Sequence, residues 1–289
     1  MKQDCLILGL NASWQKVLEF EDLRLNGVNR AQRVTSFAAG KGINVAKAYQ
    51  KVSGRSPTLL QFIGGHNGEL IKDDLNNLAI THHSIETQHN TRVCTTLCAE
   101  NTYSEIIEPS YAANPEQWQK LSKTLLELCA GQILVISGTF LKGATASFFE
   151  AAQKCAQKSP IYLDSVHHPD KFSEIPLECL KINFEELQQL SGEEDLEKAC
   201  EKMNQNWKFK HLIITNESKA VYHYSHGDMD KYQPPTIDKL INPIGAGDTF
   251  MAALVKARQE EESYAKAIEY AMTIASKKCL VDRIEDLVL

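Results

Sequence analysis

The run Asn242-Pro-Ile-Gly-Ala-Gly-Asp-Thr-Phe250 combines an extended approach, a Gly-Ala-Gly turn and a helix that opens on an aspartate. Gly245 and Gly247 allow close backbone approach and positive φ. The helix that follows starts with N–H groups that have no intrahelical partner, at the positive end of its dipole. Anions bind at such ends. Asp248 places a carboxylate at the same spot. A base beside an anion hole suits removal of a proton from a hydroxyl while N–H groups hold developing phosphate charge, which is the chemistry of phosphoryl transfer. The same residues also read as a turn with a helix-capping aspartate, worth about 0.5–2 kcal/mol. The local pattern leaves both readings open.

The elements that must position this run are legible from periodicity. Short apolar runs at Cys5–Leu10, Thr58–Ile63, Val93–Ala99, Ile133–Ser137, Ile161–Asp164 and His211–Thr215 read as strands, with Lys181–Asn183 ending another. Helical spacing covers Gly42–Val52, Glu69–Leu78, Pro115–Ala130, Ala144–Gln157, Glu185–Leu190, Asp195–Asn206, Phe250–Arg258 and Tyr264–Lys277. Ala220–Tyr224 with Lys231–Gln233 suggests a hairpin. Alternating strands and helices from about residue 55 predict an α/β fold in one domain, with a mostly parallel central sheet and helices on both faces. Ligands of such sheets bind at the C-terminal strand edges. Residues 11–37 and 90–110 break the alternation and are expected to form a small β appendage, a lid over the ligand cleft.

Composition narrows the function classes. The chain has 289 residues, a net charge of −6 and 43% hydrophobic residues, so a substantial core is expected. Mild acidity without a long basic run argues against nucleic acid as a partner. No apolar stretch reaches the roughly 18–20 residues needed to span a bilayer, so no membrane partner is expected. The start, with its short apolar run, does not read as a signal peptide. Eight scattered cysteines without a C-x-x-C pair read as free thiols in a reducing cytoplasm. The pairs His82-His83 and His167-His168 sit in polar, turn-like context and read as surface loops.

A second glycine-rich run, Ala38-Ala-Gly-Lys-Gly-Ile-Asn-Val-Ala46, lies about 200 residues upstream of the first. Together the two resemble the paired signatures of the phosphofructokinase-B, or ribokinase-like, sugar kinases. Asn90-Thr-Arg92, Ser137-Gly138 and Asn183-Phe-Glu-Glu186 fall between them in that family's order. Leu25-Asn-Gly-Val-Asn-Arg30 and Ser104-Glu-Ile-Ile-Glu-Pro-Ser110 resemble its sugar-phosphate branch, the 1-phosphofructokinases and tagatose-6-phosphate kinases. The resemblance implies a ribokinase-like fold and ATP-dependent phosphoryl transfer to a ketose phosphate, with fructose 1-phosphate going to fructose 1,6-bisphosphate as the first expectation. It implies Asp248 as general base, with Gly245, Ala246 and Gly247 offering N–H groups to the moving phosphate. Thr215 and Lys219, with Gly245 and Gly247, would contact the nucleotide. Asn183 and Glu186 would hold Mg²⁺ through water; the plainer reading of that pair is a helix cap and a first-turn acid.

On the acceptor side, Lys41 and Arg92 offer two cations for a phosphate already on the sugar. A free sugar would leave both without a partner. Gly40 and Asn44 are expected beside the sugar, and Ser137 and Gly138 along its pocket. Three departures from the family pattern stand out. Gln15 replaces the aspartate expected after the first strand, which exchanges a charged acceptor for an amide with one acceptor and one donor group. Asn216-Glu-Ser-Lys219 lacks the glycine expected where the chain passes the nucleotide. Ala39 replaces one glycine of the first signature. Gln15 keeps two alternatives in view: a kinase of an unphosphorylated sugar or nucleoside, and a non-catalytic binder of sugar phosphates. The lid predicts a homodimer, since an isolated small sheet leaves an apolar face to be covered.

Overall fold

The computed structural model describes residues 4–99, 102–237 and 240–281. In chain order the first part runs β1 (Cys5–Gly9), β2 (Ser13–Phe20), β3 (Arg33–Ala39), α1 (Lys41–Ser53), β4 (Thr58–Ile63), α2 (Gly65–Asn77), β5 (Thr81–Glu86), β6 (Val93–Ala99) and β7 (Thr102–Ile107). The middle part is α3 (Pro115–Leu128), β8 (Ile133–Ser137), α4 (Ala146–Ala156), β9 (Ile161–Asp164), α5 (Pro169–Phe172), β10 (Leu177–Asn183), α6 (Phe184–Ser191) and α7 (Leu196–Asn206). The last part is β11 (Phe209–Asn216), β12 (Ala220–Ser225), β13 (Asp228–Tyr232), α8 (Ala246–Gln259) and α9 (Tyr264–Lys278).

Among the described residues, nine strands form the central sheet in the order β13-β12-β11-β10-β9-β8-β1-β4-β5. All neighbours from β11 to β5 pair in parallel, and β12 and β13 close one edge as an antiparallel hairpin. Alternate residues of the parallel strands enter opposite cores. Cys5 and Ile7 of β1 join α1, α8 and α9 on one face, and Leu6 and Leu8 join α3, α4, α6 and α7 on the other. Burial on both faces explains the continuous apolar runs of these strands. No helix among the described residues is long and apolar enough to cross a membrane.

A separate four-stranded sheet, in the order β3-β2-β6-β7, comes from the two segments that interrupt the alternation. Strand β2 is central, antiparallel to β3 and parallel to β6. Its small core is Val17, Phe37 and Ala39, whereas Val34, Tyr103, Ile106 and Ile107 stand exposed.

The histidines His82 and His83, expected in a loop, lie instead in β5 at the edge of the large sheet. An edge strand has one neighbour, and β5 alternates exposed and half-buried positions around the single buried Ile85. That pattern is too polar to stand out from a turn. Helix α2 starts four residues earlier than its apolar spacing suggests, because Gly64 caps it and residues 65–68 carry no apolar signal.

Candidate active site

The C-terminal ends of β8, β9 and β10 meet the N-termini of α1 and α8 through Gly138, Asp164 and Lys181. Both helices open after a glycine with positive φ, Gly40 at 110° and Gly245 at 82°, and neither glycine position supplies a side-chain cap. Close packing demands glycine at Gly42 as well, where a Cβ would lie 2.3 Å from Gly9 Cα. This contact lets the start of α1 press against the end of β1.

The two glycine-rich runs meet through their side chains. Asn44 Nδ2 donates to Asp248 Oδ2 at 2.8 Å, across a separation of 204 residues. Asp248 does not merely close the turn it follows; its carboxylate reaches across to α1. It is 7% exposed. Burial and the nearby Asp164 carboxylate push its pKa from 3.8 up to about 6, against the lowering influence of Lys41, Asn44 and Lys181. A carboxylate so placed is ionised at neutral pH and more basic than a surface aspartate.

The turn before α8 is braced by Asn242, whose Oδ1 accepts from the Ile244 N–H at 3.0 Å. The Ala246 N–H donates to Pro243 O at 3.1 Å. The turn itself uses that donor. Gly245 and Gly247 have no such backbone acceptor among the described residues.

Below this turn lies an ionic cluster that the motifs did not reveal. Asp164, the last residue of β9, is 1% exposed and accepts from Lys41 Nζ at 3.2 Å and Lys181 Nζ at 3.1 Å. Lys41 is held strongly protonated, first by Asp164 and to a smaller extent by Asp248 and Glu186. Gly138, at φ 93°, gives Lys41 room, since a Cβ there would meet the Lys41 Cβ at 2.9 Å.

Two cavities flank the cluster and share Gly40 and Arg92 as lining residues. The larger, about 190 Å³, lies under the four-stranded sheet and is also lined by Gln15, Asn44, Gly245 and Thr249. Its charged lining comprises Lys47, Lys51, Arg92 and Lys278 against one carboxylate, Glu105. The smaller, about 130 Å³, sits at the α1 mouth among Lys41, Ser137, Gly138 and Thr139. Two buried polar atoms on its wall, Ser137 Oγ and Arg92 Nε, have no hydrogen-bond partner among the described residues. Buried polar groups are ordinarily paired, so these atoms await a ligand or solvent. Gln15 is anchored by its amide nitrogen, which donates to Thr96 Oγ1 at 2.8 Å. Its carbonyl oxygen thereby remains as the acceptor available to the cleft.

The remaining expected residues lie on the same sheet edge but line neither cavity. Asn183 and Glu186 form the capping box of α6: Asn183 Oδ1 accepts from the Glu186 N–H at 2.7 Å, and Glu186 Oε2 from the Asn183 N–H at 2.8 Å. Thr215, the penultimate residue of β11, is in register with Asn183. Lys219 is exposed on the turn to β12. That turn has no glycine, and Glu217 takes the left-handed conformation at φ 46° in its place.

A family model for pfkB family carbohydrate kinases matches residues 10–282. The chain belongs to the pfkB family. It is accordingly a carbohydrate kinase, a phosphotransferase with an alcohol group as acceptor. Solved structures support the fold. Phosphofructokinase-2 from Escherichia coli, in complex with substrates and products, superposes with a TM-score of 0.87 at 21% identity, covering 96% of this chain and 93% of that one. A Thermotoga maritima protein named as a possible 1-phosphofructokinase gives 0.85 at 16% identity, over 97% and 93%. Thermotoga maritima ribokinase gives 0.78 at 21%, over 98% and 95%.

Proposed function

We propose that this kinase transfers the terminal phosphoryl group of ATP to a free hydroxyl of a ketose monophosphate, with fructose 1-phosphate as the leading acceptor and fructose 1,6-bisphosphate as product. The observation that carries the reading is the 2.8 Å contact between Asn44 and Asp248, where Asn44 belongs to a cleft wall that also carries Lys47, paired with Asp74, and Lys51, Arg92 and Lys278 beside Glu105. An acceptor that already bears a phosphate complements that wall, and a neutral sugar does not. Escherichia coli phosphofructokinase-2 has been solved with fructose-6-phosphate, which places a ketose monophosphate in a relative of the same fold.

In this mechanism Asn44 orients the Asp248 carboxylate, which takes the proton of the acceptor hydroxyl. The N–H groups of Gly245 and Gly247 face the phosphoryl group as its charge redistributes, and Lys41 and Lys181 neutralise the phosphates on either side. The acceptor's own phosphate meets Arg92 and the Ser137 hydroxyl, and the Gln15 carbonyl accepts from a sugar hydroxyl. Holding both ends of the acceptor fixes the reacting oxygen against the donor, and alignment supplies much of the rate in this chemistry. Thr215 and Lys219 border the nucleotide. Asn183 and Glu186 each use one oxygen in the capping box, which leaves the outer Glu186 oxygen free. That sparse donor set fits Mg²⁺, which keeps most of its water. When bound, the ion offsets charge on the donor phosphates.

The four-stranded sheet acts as the lid of the cleft, and its exposed Val34, Tyr103 and Ile106 form the surface through which two copies pair. Light scattering that returns the monomer mass would remove the dimer from this reading. The test of function is a coupled ADP-release assay with Mg-ATP across free and phosphorylated ketoses, fructose 1-phosphate and tagatose 6-phosphate included. Turnover confined to phosphorylated ketoses is expected. A preference for a free sugar or a nucleoside would overturn the assignment.

A further inference from the structure

Two lysines and an aspartate occupy the floor of the transfer site, and none of the glycine-rich motifs contains the aspartate. Asp164 is almost fully enclosed, at 1% exposure, and Lys181 is 6% exposed, whereas the Lys41 side chain is 43% exposed. The three come from separate elements: α1, β9 and β10. The backbone leaves space for this grouping. A Cβ at Gly247 would come within 3.2 Å of Lys181 Nζ, so that ammonium lies against the first turn of α8. Gly138 makes the corresponding room for the stem of Lys41. Without a carboxylate between them the two ammoniums would repel, and Lys41, the more exposed, would leave first.

We infer that Asp164 is a positioning residue for phosphoryl transfer: it holds Lys41 and Lys181 as a pair beneath the α8 mouth and keeps a like charge beside Asp248. Arriving phosphate then meets two ammoniums already in place, and Lys41 can turn to it while Lys181 stays anchored. The inference rests on the reading of Asp248 as the base. The charged and polar groups that face Asp248 are Asp164 from β9, Lys41 and Asn44 from α1, and Lys181 from β10, with Glu186 of α6 acting on Lys41. Of the side chains that act on Asp248, Asp164 has the largest effect and opposes the others.

The test is the pH dependence of kcat and KM in Asp164→Asn. Loss of the like charge lowers the proton affinity of Asp248, so the acid limb of kcat/KM moves down by about one pH unit. The plateau kcat falls about tenfold or more, and KM for the sugar phosphate rises by a smaller factor, because Lys41 shares its cavity with Arg92 and Ser137, which stay in place. Asp164→Asn leaves the Lys181 ammonium buried without its partner and endangers the fold. The double variant Asp164→Asn/Lys181→Met removes that charge as well. Its acid limb also moves down, since Asp164 outweighs Lys181 at Asp248. A carbon-13 titration of the Asp248 carboxyl, in the wild type and both variants, reads the same shift without turnover. If Asp248→Asn retained turnover, the base assignment would fail, and the carboxyl titration would still report on Asp164. An unmoved acid limb and carboxyl titration would overturn the inference. So would an unmoved limb with a raised Mg²⁺ requirement, which would assign Asp164 to the metal.

Discussion

Asp248 is expected to weaken the fold that it serves. Its carboxyl titrates at 3.8 in ordinary surroundings and at about 6 in the folded protein. Between those values the native state keeps a proton that the unfolded chain releases. The stability contributed by the neutral form is fully present below pH 3.8 and is lost as pH rises through 6. At pH 7 the deficit corresponds to about two pKa units, or about 3 kcal/mol. Asp248→Asn removes the ionisation, keeps the shape and retains an acceptor for Asn44. The variant should therefore be more stable than the wild type by about 3 kcal/mol at pH 7. At roughly 2 °C per kcal/mol for a chain of this size, its midpoint should rise by about 6 °C. The advantage should shrink on acidification and vanish near pH 4. Turnover should fall by about 10²–10⁴-fold, since the base is gone. Thermal unfolding of both proteins at pH 7 and pH 4, beside the ADP-release assay, supplies the comparison. A variant no more stable at pH 7, or one whose advantage is the same at both pH values, would refute the electrostatic reasoning.

Arg92→Ala should raise KM for the phosphorylated acceptor about 10- to 100-fold and change kcat less, because a charge-assisted hydrogen bond worth about 1.5–3 kcal/mol is lost in ground state and transition state alike. Steady-state kinetics with an unchanged KM would remove Arg92 from the phosphate site. Gly42→Ala should cost at least about 2 kcal/mol, since its Cβ would press on the Gly9 and Leu8 backbone; an unaltered denaturant midpoint would count against the close contact of α1 with β1. Thr96→Val should release the Gln15 amide to turn within the cleft, raise KM for the sugar and lower stability by about 1–3 kcal/mol. If KM holds while stability falls, Gln15 does not read the sugar.

Much of the fold was legible because the parallel strands are buried on both faces and read as unbroken apolar runs. Ile133–Ser137 and Thr58–Ile63 match their observed bounds for that reason. The signal failed where burial was one-sided. Strand β5, with one neighbour, has the polar composition of a loop, and its two histidines read as loop residues for that reason. The turn after Asn216 shows a different limit. A missing glycine suggests a changed backbone, yet Glu217 adopts φ 46° and the hairpin still closes. Composition reports which conformation is easy, and the surrounding pairing decides which is adopted.

The site divides along the same line. Glycine-rich runs are visible because their residue types are unusual in any element. The capping box at Asn183 and Glu186 was equally visible, since its spacing is its mechanism. Asp164 and Lys181 escaped notice because each is a lone charge in or at the end of an apolar strand. Strand parity nevertheless carries the clue. Tyr162 and Cys179 face the core formed with α1, α8 and α9, and Asp164 and Lys181, two residues farther along each strand, share that face. The strands are adjacent and in register at Cys179 and Tyr162 and again at Leu180 and Leu163. One step on, the register sets Lys181 beside Asp164, and Ser137 of β8 pairs with Asp164 from the other side. A hydroxyl, a carboxylate and an ammonium thus stand in one row across β8, β9 and β10, at the strand ends where ligands of parallel sheets bind. The residues and their parity are written in the chain, but the order of neighbouring strands is not. Once that order is known, an opposite charge beside each buried one follows from the cost of leaving either unpaired.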